Sequence, residues 1–431
     1  MEIEIIALIF FISVFLALLT GYPVAFVLGG LSIIVGMLVV PDFIDFLPLR
    51  IMGTIQNYVL ISVPIFIFMG LVLEKSGLAE GLLISMSKKF GNIRGGLAIS
   101  VVIVGAMLAA STGIVGATVI TMGLISLPIM LKAGYSPSLS TGIIASSSTL
   151  GQIIPPSVVL ILLGSVMNIS IGDLFKAAML PGFMLTFAYI LYIILLSKIS
   201  PNQIPAYDAT TMPLKTTTFK SEWAIFLMPL FLILIVLGSI FIGIASATEA
   251  SAVGALGALC MSLFMRTMTL GHLKDIMFQT MYLTSMVFMI LVGATAFALV
   301  FRGLGGDKMI VELIETSALS KYQFLFFIMV VIFIAGFFID FIEIIFIILP
   351  IVTPIFIKFQ FDPLYIGILI ALNIQTSFLT PPFGFALFYL KGVVPPEVTI
   401  SHIYRGIIPL IVIQLLVLLI IGIFPRLLST L

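Results

Sequence analysis

Two proline-broken segments, 226 residues apart, constrain the fold of this chain more than any other feature of the sequence. The first, GYSPSLSTGIIASSSTLGQIIPPS, occupies residues 134–157, and the second, QFDPLYIGILIALNIQTSFLTPPFG, occupies residues 360–384. Their prolines align without a gap in three pairs: Pro137 and Pro363, Pro155 and Pro381, and Pro156 and Pro382. Because helix breakers at a fixed spacing record backbone geometry, we interpret the two segments as parts of a long internal repeat.

Composition sets the class of protein. Of the 431 residues 61% are hydrophobic and 9% are charged, and the mean hydropathy is +1.35. A soluble domain cannot bury so much apolar surface, so we predict an all-α polytopic membrane protein that has the lipid bilayer as a partner. A net charge of +1 argues against a nucleic-acid partner. The N-terminal sequence carries two acids and no basic region, which predicts a retained span and not a cleaved signal peptide.

The breaks predict a wet or protein-lined interior. Proline supplies no backbone N–H, so carbonyls one turn earlier lose their partners. At membrane depth such groups are tolerated only where they are buried in protein or line a watery cavity. Secondary transporters bind ions and substrates at broken helices of this kind. The alternative interpretation is a kinked helix with a purely structural role.

We predict two repeats, residues 1–200 and 222–431, joined by a polar cytoplasmic linker at 201–221. Each repeat contains full spans, one re-entrant hairpin and one broken helix, and five full crossings in each repeat give the two opposite orientations, an inverted repeat. The predicted hairpins cover residues 97–133 and 322–359, the broken helices 136–166 and 362–392, and the span after the first broken helix 169–199.

The hairpin tips are predicted from residues 110–116, which are rich in small and hydroxyl-bearing residues, and from residues 336–343, which contain Asp340 and Glu343. Small residues let two backbones approach closely. A packing face formed by Gly105, Ala109 and Gly113 is the alternative for the first segment.

The remaining elements follow from apolar runs. We predict a polar connection at Pro41–Asn57, helices lying in the membrane interface at Leu78–Phe90 and Leu270–Met277, and a separate span at Thr280–Phe301. With these crossings, twelve of the 19 Lys and Arg residues fall on the side opposite the N-terminus. The positive-inside rule then places the N-terminus outside the cytoplasm.

Two clusters of carbonyls and hydroxyls would meet where a hairpin tip faces a break, and such oxygens suit a hard cation. Sodium fits better than calcium because neither cluster needs a carboxylate to be complete, and the half-helix N-termini suit an anionic substrate. We expect two or more transported sodium ions and no organic cofactor. The first cluster comprises Ser111, Thr112, Gly113, Thr149, Gly151, Ile154 and Pro156. The second comprises Gly336, Gln375, Ser377, Thr380 and Pro382.

Asp340 is the most informative single residue, because an acid within a membrane segment is costly and usually functional. We assign it to the substrate; the alternative is that it and Glu343 lie near the aqueous end of the hairpin. The other residues assigned to the substrate are polar and lie near the two breaks: Ser147, Ser148, Ser157 and Asn373.

Both broken segments, together with ATEASAVGA at residues 247–255, resemble the large membrane subunit of tripartite ATP-independent periplasmic (TRAP) transporters over essentially the whole chain. The resemblance implies an elevator-type, sodium-driven importer in the bacterial inner membrane, with the N-terminus on the periplasmic side. It also implies three partners: a small four-helix membrane subunit, a periplasmic substrate-binding protein, and an organic anion such as a C4-dicarboxylate or sialic acid. The sequence departs from the family at STGIVGAT in the first tip and at Glu343, where the family is usually apolar.

Three other functions remain open. One is a stand-alone sodium-coupled carboxylate symporter, or a sodium/proton antiporter, of a related inverted-repeat fold. A polytopic membrane enzyme is disfavoured because His272 and His402 are isolated and belong to no cluster of catalytic residues. A channel is disfavoured because closed tips on both sides suit alternating access.

Overall fold

The computed structural model describes residues 2–90, 93–113, 115–205, 222–316 and 319–428. Their regular secondary structure is entirely helical. Seven helical segments are long and apolar enough to cross a membrane. Most of the predicted linker, residues 206–221, lies outside the described part.

Among the described residues, the first half up to Ile199 contains eleven α-helices and the second half ten. Those of the first half are α1 Glu2–Leu18, α2 Val24–Val39, α3 Pro41–Ile44, α4 Leu47–Ile55, α5 Ser62–Lys75, α6 Leu78–Phe90, α7 Gly96–Thr112, α8 Val115–Lys132, α9 Pro137–Thr149, α10 Val158–Met167 and α11 Ile171–Ile199.

The ten helices of the second half are α12 Glu222–Phe241, α13 Ala247–Phe264, α14 Leu270–Gly303, α15 Gly306–Thr316, α16 Lys321–Ala335, α17 Phe341–Glu343, α18 Leu349–Lys358, α19 Pro363–Leu379, α20 Phe385–Lys391 and α21 Ile400–Ile423. A π-helical turn, Ile344–Ile348, joins α17 to α18.

The helices of the second half follow the order of the first at the same spacing of 226 residues. Helix α9 begins at Pro137 and α19 at Pro363, in each case with proline in the first turn, where its missing N–H is not needed. Both starts are capped: Ser136 accepts a hydrogen bond from the Leu139 N–H, and Asp362 accepts one from the Leu364 N–H. Helices α9 and α19 therefore begin in the same way, with a capping side chain followed by proline.

Three predicted elements were wrong in their boundaries: the interfacial helix Leu270–Met277, the separate span Thr280–Phe301 and the polar connection Pro41–Asn57. The stretch Leu270–Met277 is not a separate interfacial helix, since α14 runs unbroken from Leu270 to Gly303. Its first-half counterpart is interrupted because the Asn57 side chain accepts a hydrogen bond from the Val59 N–H and starts a new helical turn. The residue 226 positions later is Leu283, which cannot cap a helix.

The counterpart of α6 is instead α15, which begins and ends close to the positions that the repeat spacing requires. The segment Pro41–Asn57 is not merely a polar connection, because it contains the short helices α3 and α4. Proline near the first turn of each of these two helices suits a helix start.

The helices pack as two groups. The group called the frame contains α1, α2, α4, α5, α12, α13 and α14, in which α2 lies along α14 and α5 lies along α13. The group called the hairpin bundle contains α7 to α11 and α16 to α21, with α9 packed against α7, α8 and α21. The two groups meet where α5 and α14 of the frame approach α7, α10 and α17.

Candidate functional site

Both predicted tips fall on connections between two helices. Helix α7 ends at Thr112 and α8 begins at Val115. In the second half, α16 ends at Ala335 and the helix resumes at Phe341. The side chains of Ser111 and Thr112, and all of Ile114, lie outside the described part of the structure.

The predicted breaks are confirmed. Helix α9 ends at Thr149, passes into a 3₁₀ turn at Leu150–Gln152 and resumes as α10 at Val158. Helix α19 ends at Leu379, and α20 begins at Phe385. In both segments the interruption contains the proline pair, which removes the N–H groups that a continuous helix would need.

Each tip touches its break through a residue without a bulky side chain. A Cβ atom added to Gly151 would collide with the Ala109 carbonyl group near the end of α7. In the second half, a Cβ atom added to Gly336 would collide with the side chain of Ser377. Ser377 follows Gly151 by 226 residues, so a similar contact recurs in the second half. The glycine belongs to the break in the first half and to the tip in the second.

Hydroxyl groups at the two breaks donate to nearby carbonyls, in most cases within the same helix, as hydroxyls in helices commonly do; Ser157 instead donates across the first break. Their remaining lone pairs can still accept a donor or a cation. The donor–acceptor distances are Thr149 to Ser146 2.9 Å, Ser147 to Ile144 3.2 Å, Ser148 to Ile144 2.7 Å, Ser157 to Gln152 2.8 Å, Ser377 to Ile374 2.8 Å and Thr380 to Thr376 2.8 Å.

Two buried glutamines stand out at the breaks. Gln152 and Gln375 are both 0% exposed. Neither the Oε1 nor the Nε2 atom of either side chain has a hydrogen-bond partner among the described residues. Leaving a buried polar group unpaired costs about 1–3 kcal/mol, so a ligand that binds to either amide would remove this cost. Gln375 was predicted as a ligand, whereas Gln152 was missed, although an amide beside Gly151 and the proline pair was a usable signal.

The two breaks differ in exposure. Pro156 is buried, whereas Pro382 is exposed and its carbonyl oxygen accepts a hydrogen bond from the Tyr404 hydroxyl at 2.8 Å. Ile154 is half-buried and packs on Gly182 of α11.

A cavity of about 700 Å³ lies between the frame and the hairpin bundle. Of the residues predicted to bind substrate or sodium, Asp340 lines it directly. Val158 and Phe378, neighbours of the predicted Ser157 and Ser377, also line it, so both breaks reach its wall. The frame contributes Glu74 and Lys75.

Asn373 is not brought to the same place. Its Nδ2 atom donates to the Met329 carbonyl oxygen of α16 at 2.7 Å, and its side chain borders a separate groove between α16, α19 and α21. The structure therefore separates Asn373 from Asp340, because Asn373 faces α16 and α21, whereas Asp340 at the start of α17 faces the cavity.

Glu74, which sequence analysis did not single out, links the two groups of helices. Its Oε1 atom accepts a hydrogen bond from the Thr121 hydroxyl of α8 at 2.6 Å. Its Oε2 atom is buried without a hydrogen-bond partner among the described residues. No sequence pattern distinguishes this acid from one that ends a span, so only the packing of α5 against the hairpin reveals it.

The two acids of the second tip differ in environment. Asp340 is half-buried, and its Oδ1 atom accepts a hydrogen bond from the Phe341 N–H at 2.7 Å. Glu343 is 4% exposed. Glu249, in contrast, caps α13 through reciprocal hydrogen bonds with Ser246 and has a structural role.

This arrangement of apolar helices, paired tips and paired breaks defines a multi-pass membrane transporter fold. A solved structure of the YdaH transporter of Alcanivorax borkumensis has the same fold: the TM-score is 0.69 at 14% identity, and the match covers 97% of this chain and 98% of that one.

The family is narrower than the fold. Residues 11–427 match the family described as "Tripartite ATP-independent periplasmic transporter, DctM component", and the chain belongs to that family. The C4-dicarboxylate TRAP transporter large permease protein DctM of Pseudomonas aeruginosa is 31% identical, over 92% of this chain and 91% of its own length. The sialic acid TRAP transporter large permease protein SiaM of Vibrio cholerae is 27% identical, over 95% of this chain and 94% of its own length.

Proposed function

We propose that this chain is the large permease subunit of a sodium-driven importer of an organic anion in the bacterial inner membrane. The observation that carries the proposal is the cavity between the frame and the hairpin bundle, which both breaks and the second tip help to line. Family membership supports the transporter class, and the names of the two relatives indicate a C4-dicarboxylate or a sialic acid as the substrate class.

Two sodium sites are proposed where each tip touches its break. At the first, Gly151 admits the end of α7, and Thr149 and Gln152 supply oxygen atoms. The second has Ser377, Thr380 and the unpaired amide of Gln375. Neutral hydroxyl, amide and carbonyl oxygens suit a hard monovalent cation, and the ion would complete the hydrogen-bonding needs of the buried amides.

The substrate is proposed to bind in the cavity. Helix α10 begins at Val158 on the cavity wall, and the partial positive charge of a helix N-terminus favours an anion. Lys75 adds a full positive charge on the opposite wall. Asp340 would then accept hydrogen bonds from hydroxyl or amine groups of the substrate.

Transport is proposed to follow an elevator mechanism, in which the hairpin bundle moves relative to the frame. The two inverted repeats each contribute helices to both groups. The small four-helix membrane subunit would bind the frame, where α1, α2 and α12 expose large apolar side chains such as Leu16, Phe26 and Phe231. A periplasmic binding protein would deliver the substrate.

Uptake into proteoliposomes with an imposed sodium gradient tests this function. The large subunit is reconstituted with and without the small subunit and the binding protein from the same source, and candidate dicarboxylates and sialic acid are supplied. We expect uptake that requires sodium and both partners. Sodium-dependent uptake by the large subunit alone would favour a stand-alone symporter, and no uptake under any condition would contradict the proposal.

A further inference from the structure

Glu343 is a buried acid that the sodium and substrate sites do not use. It is 4% exposed, and its Oε2 atom has no hydrogen-bond partner among the described residues. Its neighbours along the chain are apolar and buried, including Ile342, Ile344 and Ile345. An ionised carboxylate with an unpaired oxygen atom and no positively charged partner is disfavoured in such a place. Glu343 therefore needs a positively charged ligand or a proton.

Asp340 connects Glu343 to the cavity. It is the N-cap of α17 and Glu343 is the third residue of that helix, the two positions that approach each other in a capping box. Asp340 and Tyr389 line the cavity, whereas Glu343 lies behind them. Water in the cavity can thus reach Asp340, and Asp340 can reach Glu343.

The surrounding helices offer no close basic side chain among the described residues. Helix α10 carries no titratable residue, and the titratable residues that α14 and α20 bring to the cavity are Tyr282 and Tyr389. In the frame, Lys75 is exposed and adjoins Glu74. The titratable residues of α16 and α18 stand at the helix ends remote from the tip: Lys321, Tyr322 and Lys358.

The form of the site favours a proton over a metal cation. Sodium needs a shell of several oxygen atoms, whereas a proton needs one. Around Glu343 the Asp340 carbonyl already accepts the Ile344 N–H at 3.2 Å, and the flanking side chains are aliphatic. The structure thus offers a single unpaired oxygen atom, Oε2 of Glu343, which suffices for a proton and not for a sodium ion.

We propose that Glu343 is a proton-binding site, loaded through Asp340 from the cavity, and that this proton is carried together with the substrate. On loading, the Glu343 carboxylate takes one proton and becomes a neutral carboxylic acid; on the other side of the membrane it gives the proton back. No other bond changes. Each cycle thus moves one more positive charge inward than sodium and substrate alone. The inference rests on the proposed transport function.

Proton movement during sodium-driven uptake tests it. Proteoliposomes holding the complete transporter are suspended in weakly buffered medium with a pH indicator, and protons and labelled substrate are counted together. We expect the wild type to alkalinise the medium in proportion to substrate uptake, with about one proton per substrate. Uptake without proton movement would overturn the inference while leaving the proposed function intact; absence of uptake would contradict the proposed function itself.

Glu343→Gln keeps the size of the side chain and cannot titrate, so we expect its proton-to-substrate ratio to fall to zero. Glu397→Gln, which changes an exposed acid, is the matched control and should keep the wild-type ratio. A wild-type ratio in Glu343→Gln would show that another group, or the substrate itself, carries the proton, and would overturn the inference.

Infrared difference spectroscopy covers the case in which Glu343→Gln does not transport. The purified wild-type protein, titrated from high to low pH, should gain a protonated-carboxyl band that the folded Glu343→Gln variant lacks. The same band in both proteins would overturn the assignment.

Discussion

At the scale of single residues, Gly151 is the clearest test of the first sodium site. A side chain here would collide with the Ala109 carbonyl group. We expect Gly151→Val to raise the sodium concentration for half-maximal uptake by about five- to a hundredfold, the effect of losing a contact of ~1–3 kcal/mol. Gly238→Val is the control, because a Cβ atom at Gly238 meets nothing within 4 Å. Wild-type sodium dependence in Gly151→Val would contradict the first site.

Thr380 tests the second site. Its hydroxyl donates to the Thr376 carbonyl oxygen at 2.8 Å, which leaves lone pairs for a cation. Thr380→Val keeps the shape and removes the oxygen, so we expect a rise in the sodium requirement of similar size. Thr376→Val, one turn earlier and with the same kind of hydrogen bond to Leu372, should leave the sodium requirement near that of the wild type. An equal rise in the sodium requirement in both variants would show that the Thr380 hydroxyl acts through helix packing, and would contradict its role as a sodium ligand.

Gln152 should impose a stability penalty in the absence of ligand. Both polar atoms of its buried amide are unpaired among the described residues. Gln152→Leu removes that penalty, so we expect a higher Tm in sodium-free detergent, equivalent to about 1–3 kcal/mol, together with weaker sodium-dependent uptake. Gln414→Leu is the contrasting control: Gln414 donates to the buried Tyr189 hydroxyl at 2.8 Å, so its loss should lower the Tm. A lower Tm in Gln152→Leu would contradict the assignment.

At the scale of helices, the sequence predicts what local chemistry decides. Prolines and caps fix where α9 and α19 begin and where they break, so both breaks were predicted correctly. The continuity of α14 depends on the absence of a cap at Leu283, which a direct comparison with Asn57 could have revealed. The position of Gln152 beside Gly151 and the proline pair is a signal in the sequence, but the unpaired state of its amide depends on tertiary packing. The contact of Glu74 with Thr121 also depends on tertiary packing, and no residue pattern reveals it.

The Glu74–Thr121 hydrogen bond joins the frame to the hairpin bundle, and an elevator movement must break it. In a Cys260→Ser background, we expect a short, reducible thiol cross-linker between Glu74→Cys and Thr121→Cys to stop uptake, and reduction to restore it. The control pair is Thr54→Cys and Thr295→Cys, whose hydroxyls lie 3.1 Å apart within the frame. Cross-linking this control pair should leave uptake intact. Undiminished uptake in the cross-linked Glu74–Thr121 pair would exclude relative movement at this contact.

At the scale of the whole molecule, the distribution of Lys and Arg predicts the orientation in the membrane. Lys89 should face the cytoplasm and Lys308 the periplasm. Both are exposed. In the Cys260→Ser background, a membrane-impermeant maleimide applied to spheroplasts should label Lys308→Cys, and should label Lys89→Cys only after the membrane is opened. The opposite labelling pattern would reverse the predicted orientation.

The unbroken helix α14 has a consequence for the surrounding lipid. Its 34 residues span about 51 Å, whereas the hydrocarbon layer of a bilayer is about 30 Å thick. A helix of this length is either strongly tilted or extends into the headgroup layer. The side chains of Leu270, Met277 and Phe278, in its N-terminal part, are exposed. Helix α14 also forms one wall of the cavity. We expect a thicker or thinner bilayer to change the tilt of α14, and with it the width of the cavity. We therefore expect the rate of transport to change with the acyl-chain length of the lipid in proteoliposomes, at constant sodium and with the same partner proteins.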